Sequence, residues 1–210
     1  MQGLSVLSRR LAMRPLACAL GTLMISVVSA ASKDLDRDLL ETAFEFIPDA
    51  WQLINSTELK FHLMFVSKVF KNGEYSCLTT IKTENVEGNP WQKTLVYSTF
   101  PDSRTMTISR SLLEVKKTRN CYVYDDAFMI SNSGGKQETR GRFKVIYADI
   151  ETCILLKSPY LGYQVWASKS YVEMHNEIPY ICVLLYEIYA GLKKYWVYDW
   201  DTCPQRKIEI

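Results

Sequence analysis

The sequence predicts an all-β dominated fold, in which eight or nine short antiparallel strands follow one helix and precede another. Three observations indicate this fold. Apolar and polar residues alternate over short segments from Leu59 to Ser168, turn-forming residues separate these segments, and no helical pattern lies between them. Such a meander closes as a barrel or folds as a sandwich.

The first thirty residues have the pattern of a secretory signal peptide, which we place at 1–30. Three arginines precede an apolar run, Leu16–Val28, and small residues follow at Ser29 and Ala30. Loss of these arginines from a chain with 25 basic and 23 acidic residues changes the net charge from +2 to −1. This balance gives no electrostatic case for nucleic acid or an anionic membrane as a partner. We expect a secreted, extracellular protein with one domain, 31–210.

The predicted elements begin with a helix over Asp34–Phe46, where apolar residues have a helical spacing and aspartates lie near the N-terminus. A late helix is predicted between Pro179 and Gly191, since proline is favoured in a first turn and glycine after a last turn. A last strand-like stretch is Lys194–Asp201. The strands predicted between the helices are Leu59–Val66, Tyr75–Thr83, Trp91–Phe100, Thr105–Arg110, Leu112–Lys117, Tyr122–Ile130, Arg142–Asp149, Thr152–Leu156 and Gly162–Ser168.

Five cysteines remain once the signal peptide, with Cys18, is removed. An exported chain meets an oxidising compartment, so most of them should form disulfides, and one must stay free or pair outside the chain. The tripeptide Asn55-Ser56-Thr57 is a glycosylation site if Asn55 is exposed. The five cysteines are Cys77, Cys121, Cys153, Cys182 and Cys203.

Several short motifs, in order and spacing, resemble the tick salivary lipocalins, the histamine-binding protein family. The resemblance covers roughly Asp49–Cys203 and implies an eight-stranded antiparallel lipocalin barrel with a short N-terminal helix and a C-terminal helix. The motifs are Asp49-Ala50-Trp51, Asp126-Ala127-Phe128, Cys153 after Val145-Ile146-Tyr147-Ala148-Asp149, Gln164-Val165-Trp166, Ile178-Pro179 followed by Cys182, and the terminal Cys203.

The resemblance also implies two disulfides, Cys77–Cys203 and Cys153–Cys182. The first would join an early strand to the C-terminal tail, and the second would hold the late helix on the barrel wall. Cys121 has no counterpart in the family. It is either a buried free thiol that packs as a small apolar residue or half of an intermolecular disulfide.

The ligand-binding residues predicted for the barrel cavity are Trp166, Gln164, Phe128, Phe70 and Glu114. Strand alternation places Gln164 and Trp166 on one face. The resemblance implies that this face lines the cavity and that both phenylalanines occupy cavity positions, although plain barrel filling accounts equally well for the phenylalanines. Glu114 is the acid that we place in the cavity, with a register uncertain by two residues; alternatively it is a solvated strand residue.

Binding of an amine requires buried carboxylates, because a dehydrated ammonium group must be compensated by opposite charge. In the histamine binders an acid occupies the position of Gln164, and a second acid follows the position of Phe70. Here an amide and the pair Asn72-Gly73 occupy these positions. The departure favours a neutral or lipid-like ligand at least as well as histamine.

An enzymatic function is not predicted. Only His62 and His175 are present, without a zinc-type spacing to cysteine, and the chain has no nucleophile elbow, phosphate loop or dinucleotide fingerprint. We therefore expect no cofactor and no metal; Asp125-Asp126 would cap or pair locally, and the basic run Lys116–Arg119 would form a solvated turn.

The predicted function is the sequestration of a small host mediator by a monomer released in tick saliva, which would modulate host defence. By family resemblance the mediator is histamine or another biogenic amine, held by Glu114 and the aromatic cavity. The alternatives are a binder of lipid or other apolar mediators, and a protein-interaction module whose outer surface binds a host protein.

Overall fold

The computed structural model describes residues 49–56, 60–69, 75–101, 105–115, 125–132 and 140–205, with the backbone alone at Asn132 and Arg140. All of these belong to one compact unit, Ile47–Ile210. The predicted signal peptide, the helix over Asp34–Phe46, Phe70 and Cys121 lie outside the described residues. No helix in the described part of the chain is both long and apolar enough to cross a membrane.

The described elements are mostly strands, with one short helix before them and two after the eighth strand. They are α1 (Ala50–Asn55), β1 (Phe61–Val66), β2 (Thr79–Val86), β3 (Asn89–Thr99), β4 (Thr107–Val115), β5 (Ala127–Asn132), β6 (Arg140–Asp149), β7 (Cys153–Ser158), β8 (Gly162–Ser168), α2 (Lys169–His175), α3 (Tyr180–Ala190) and β9 (Tyr195–Trp196).

The strands form a closed antiparallel barrel. Each strand from β2 to β7 pairs with the next one along the chain, and β1 pairs with both β8 and β2, which closes the sheet. The short β9 adds to β1 at Phe65 and Val66. The fold class predicted from the sequence is confirmed: an eight-stranded antiparallel barrel with a few helices.

Several elements differ from their predictions. Helix α1 was not predicted, and β2 begins at Thr79 where the prediction began at Tyr75. The segments predicted as two strands around Ser111 form the single strand β4, because Ser111 keeps the register by pairing with Leu95. Helix α2 follows the last predicted strand of the meander, Gly162–Ser168, in a segment where no helix was predicted. The final strand is limited to two residues of the predicted Lys194–Asp201, because the next two N–H groups, of Val197 and Tyr198, both donate to the Met64 carbonyl oxygen and the regular ladder ends.

Helix α1 contains Trp51, which the sequence predicted just ahead of the first strand. Asp49 caps this helix, since its carboxylate oxygen Oδ1 accepts a hydrogen bond from the Gln52 N–H at 2.9 Å. The Ala50 N–H donates to the Asp125 carbonyl oxygen at 2.8 Å. These bonds hold Trp51 beside the start of β3, where its ring lies 5.1 Å from that of Trp91.

Helix α3 covers part of the outer barrel wall. It begins after Pro179 and ends before Gly191, as predicted. Leu185 and Tyr186 belong to a buried cluster that also contains Leu155 and Val165 of the wall. Since α3 covers these two wall residues, the face of β7 and β8 on which they lie is the outer face.

Two disulfides join the C-terminal region to the barrel, with the pairing that the resemblance implies. Cys153 and Cys182 connect β7 to α3 across a Cα–Cα distance of 6.3 Å. Cys77 and Cys203 connect the start of β2 to the C-terminal tail across 5.4 Å. The sequence separations are 29 and 126 residues. In the chain-entropy model the lost entropy of the denatured state stabilises the fold by about 3.6 kcal/mol for the shorter loop and about 4.9 kcal/mol for the longer one.

Candidate functional site

The lumen face of the barrel can be traced through directly opposed residues, which share a face in an antiparallel sheet. Gln164 on β8 lies opposite Leu156 on β7, and Leu156 lies opposite Val145 on β6. On the other side Gln164 lies opposite Val66 on β1. This row alternates with Leu155 and Val165, which face α3, so it faces the barrel lumen.

A short polar chain lies within this face. The fully buried Gln164 donates from Nε2 to Ser158 Oγ at 2.8 Å, and its Oε1 accepts from Trp166 Nε1 at 3.2 Å. Ser158 Oγ also accepts from the Leu161 N–H at 3.2 Å. An amide has two N–H donors and two acceptor lone pairs, so these bonds leave one donor and one acceptor of Gln164 for other partners.

Apolar and aromatic side chains surround this polar chain. The half-buried Trp166 and Tyr97 pack against a buried cluster that includes Leu63 and Val66. Leu63 lies opposite Trp166 in the β1–β8 pairing. The predicted pair Gln164 and Trp166 therefore lies on one face, beside an apolar cluster. Ser158 was not predicted as a lumen residue, although Ser158 alternates with the outward-facing Lys157.

Phe128 lies on the lumen face nearer to α1. It is buried and lies opposite Val115 on β4 and Phe143 on β6. The rings of Phe128 and Phe143 are stacked, with centroids 5.6 Å apart. The structure thus places three of the five predicted ligand residues on the lumen face, while Phe70 lies outside the described residues.

Glu114 lies on the opposite face, which corrects its predicted position in the cavity. It lies opposite Met129 on β5, and Met129 lies opposite Arg142 on β6. Arg142 is 59% exposed and bridges to Asp126 at 3.6 Å, so this row faces outward. A register error of two residues would leave Glu114 on the same face, because side chains alternate between the two faces of a strand.

One charged residue on the lumen face was missed by sequence reasoning. Lys93 on β3 lies opposite Leu113, and the row continues through Ile130 to Gly141 on β6. Gly141 is four residues from Val145 on the same strand, so Lys93 and Gln164 share the lumen face. The alternation of Lys93, Leu95 and Tyr97 within β3 was the sequence signal for this position.

His62 lies on the outer face of β1 and is buried, with its ring centroid 5.0 Å from that of Tyr198. Its Nδ1 is 2.8 Å from Thr79 Oγ1. Burial, with a smaller contribution from the positive charge of Lys169, lowers the pKa of His62 from 6.5 to about 4. His62 is therefore neutral at physiological pH and lies outside the lumen.

The remaining predicted residues have simple surroundings. Asn55, the last residue of α1, is exposed. Asp126 lies 3.3 Å from Lys144 Nζ and also contacts Arg142, which is the local pairing that the sequence suggested. Among the described residues, no group of three or more His, Cys, Asp or Glu side chains is arranged to hold a metal ion.

Comparisons with known proteins agree with this architecture. No curated protein sequence matches the chain. A solved structure described as AM182 in complex with serotonin has the same fold, with a TM-score of 0.53 and 16% sequence identity over 73% of this chain and 92% of that chain. A family model described as tick histamine binding protein matches residues 42–205, most of the chain. The chain therefore belongs to the tick histamine binding protein family.

Proposed function

We propose that this protein is a secreted lipocalin that sequesters a small host mediator in its barrel lumen and thereby modulates host defence. The observation that carries the proposal is the chain formed by Ser158, Gln164 and Trp166, in which a few polar groups converge beside the apolar cluster that contains Leu63 and Val66. Small-molecule sites typically combine apolar and aromatic walls with a small number of placed polar groups. An eight-stranded barrel has room for one small ligand.

Binding in such a lumen is stoichiometric. The Trp166 ring offers an apolar surface, and Gln164 offers the donor and the acceptor that its internal hydrogen bonds leave over. A polar group of the ligand that pairs with Gln164 stabilises the complex, because the remaining donor and acceptor of this buried amide then have a partner. Phe128, and Phe70 if it faces the lumen, would extend the aromatic wall.

The family and the solved serotonin complex make a biogenic amine the first ligand to test. The charge of the described lumen face favours the alternative, a lipid-like or other apolar mediator. Carboxylates within the described strands occur at Glu84, Glu114 and Asp149, and their strand partners place all three on the outer face. A buried ammonium ion would have to be held there by neutral acceptors, which compensate its charge poorly.

The decisive experiment is a calorimetric titration of the mature protein with histamine, serotonin and a panel of apolar mediators. We expect binding of at least one compound, and we expect Gln164→Leu to weaken it by about tenfold through loss of one hydrogen bond. Tyr163→Phe is the matched control, because the Tyr163 side chain lies on the outer face against Tyr189. Silence across the whole panel would remove this proposal and favour a host-protein interaction instead.

A further inference from the structure

Lys93 is a buried basic residue in the interior of the barrel. Its side chain is 6% exposed, and its strand partners place it on the lumen face. Among the charged side chains that the structure describes within the strands, only that of Lys93 lies on the lumen face. The others lie on the outer face, where Lys82 pairs with Glu84 and Arg142 pairs with Asp126.

None of the described residues that contact Lys93 carries a charge that would neutralise its ammonium group. Its Nζ donates to Asn85 Oδ1 at 2.6 Å and lies 5.5 Å from the centroid of the Trp51 ring. Both contacts are favourable, but neither partner carries a negative charge. An ammonium group has three N–H donors, and the described residues supply an acceptor for one of them. Burial of an ion without an opposite charge is costly, so an anion that reached this point would be strongly stabilised.

The position of Lys93 also indicates how a ligand would be oriented along the barrel. Lys93 lies beside α1, near the end of the barrel that this helix approaches. Along the same face of β3 the next residues are Leu95, Tyr97 and Thr99, and Tyr97 packs in the cluster that contains Trp166. From Lys93 to Thr99 the strand advances by six residues, which span about 20 Å. This length is suited to an extended apolar chain with its charged group at Lys93.

We propose that Lys93, assisted by Asn85, binds the carboxylate group of an apolar, fatty-acid-like ligand whose chain extends past Tyr97 toward Trp166. The inference rests on the proposed sequestering function and specifies its ligand class. The carboxylate would accept charge-assisted hydrogen bonds from the Nζ donors that Asn85 does not use. The same charge would repel an amine that entered the lumen, which makes the lumen selective by sign.

The test is a set of three ligands with one apolar chain and different head groups: dodecanoate, dodecanol and dodecylammonium. Calorimetry on the mature wild-type protein near pH 7 should give the tightest binding for dodecanoate, about 10- to 100-fold tighter than dodecanol, and the weakest for dodecylammonium. Lys93→Met should lower the affinity for dodecanoate to about that for dodecanol and so remove the preference between these two ligands. Lys157→Met is the matched control, since Lys157 lies on the outer face 4.8 Å from the Tyr163 ring, and it should change neither affinity.

The outcomes separate the inference from the function on which it rests. Equal affinities for the three head groups, or undiminished dodecanoate binding by folded Lys93→Met, would overturn the inference. Preferential binding of dodecylammonium, histamine or serotonin would also overturn it, while sequestration of a small mediator would stand. Failure of every compound to bind would remove both. The wild-type ranking decides the question even if Lys93→Met does not fold.

Discussion

A single methyl group added at Gly162 should lower the free energy of unfolding through contacts with its immediate neighbours. It lies at the turn between β7 and β8, with a φ of +70° in the left-handed region. A Cβ atom there would lie 2.1 Å from Ser67 Oγ and 3.0 Å from Lys68 Cγ. Ser67 Oγ is not free to move, because it accepts a hydrogen bond from the Tyr163 N–H at 2.8 Å.

The expected cost of Gly162→Ala follows from these contacts. A non-glycine residue in the left-handed region costs about 1–2 kcal/mol, and displacement of Ser67 forfeits a hydrogen bond of about 1 kcal/mol. The free energy of unfolding should therefore fall by about 2–3 kcal/mol. Urea denaturation followed by tryptophan fluorescence measures this change.

Gly88 provides the matched control for Gly162→Ala. It has a similar φ of +76°, but a Cβ atom there would meet nothing within 4 Å. Gly88→Ala should thus cost only the backbone term, about 1–2 kcal/mol. Equal losses for the two variants would refute the contact argument. Ser67→Ala removes the atom in closest contact, so it should recover part of the loss when it is combined with Gly162→Ala.

Two further predictions concern a buried histidine and a surface asparagine. His62 has a folded-state pKa of about 4 against 6.5, so the unfolded state binds its proton first and stability should fall by up to about 3 kcal/mol as the pH decreases from 6.5 to 4. His62→Gln should flatten this part of the pH profile measured by urea denaturation, and an unchanged profile would contradict the assignment. Secreted protein from animal cells should lose mass on glycosidase treatment, and Asn55→Gln should abolish that loss; equal masses before and after treatment of the wild type would rule out the glycan.

Alternation in the sequence predicted most strands but not always their faces. In β1 it grouped Leu63 and Phe65, yet the register shifts between them, so Leu63 lies opposite Trp166 in the lumen while Phe65 packs on Tyr186 of α3. Both faces of this strand are buried, because one lines the lumen and the C-terminal region packs on the other. Hydrophobicity alone therefore could not separate them.

The candidate site likewise contains residues whose face followed from the sequence and residues whose face did not. Gln164 and Trp166 are two residues apart in an uninterrupted strand, so their shared face followed from the sequence. Glu114 and Lys93 could not be assigned in this way, because the face of a strand depends on its partners around the whole barrel. Register shifts in the β1–β8, β2–β3 and β6–β7 pairings each change the alternation.

The sequence by itself determined the antiparallel meander, the late helix and, through its resemblance to a family, the pairing of Cys77 with Cys203 and of Cys153 with Cys182. These features depend on local periodicity and on the order of motifs, which a sequence contains. Only the tertiary structure decided which charged residue of the described strands faces the lumen. Closure of the barrel fixed which face of β3 and β4 points inward, and it thereby buried Lys93 and left Glu114 outside.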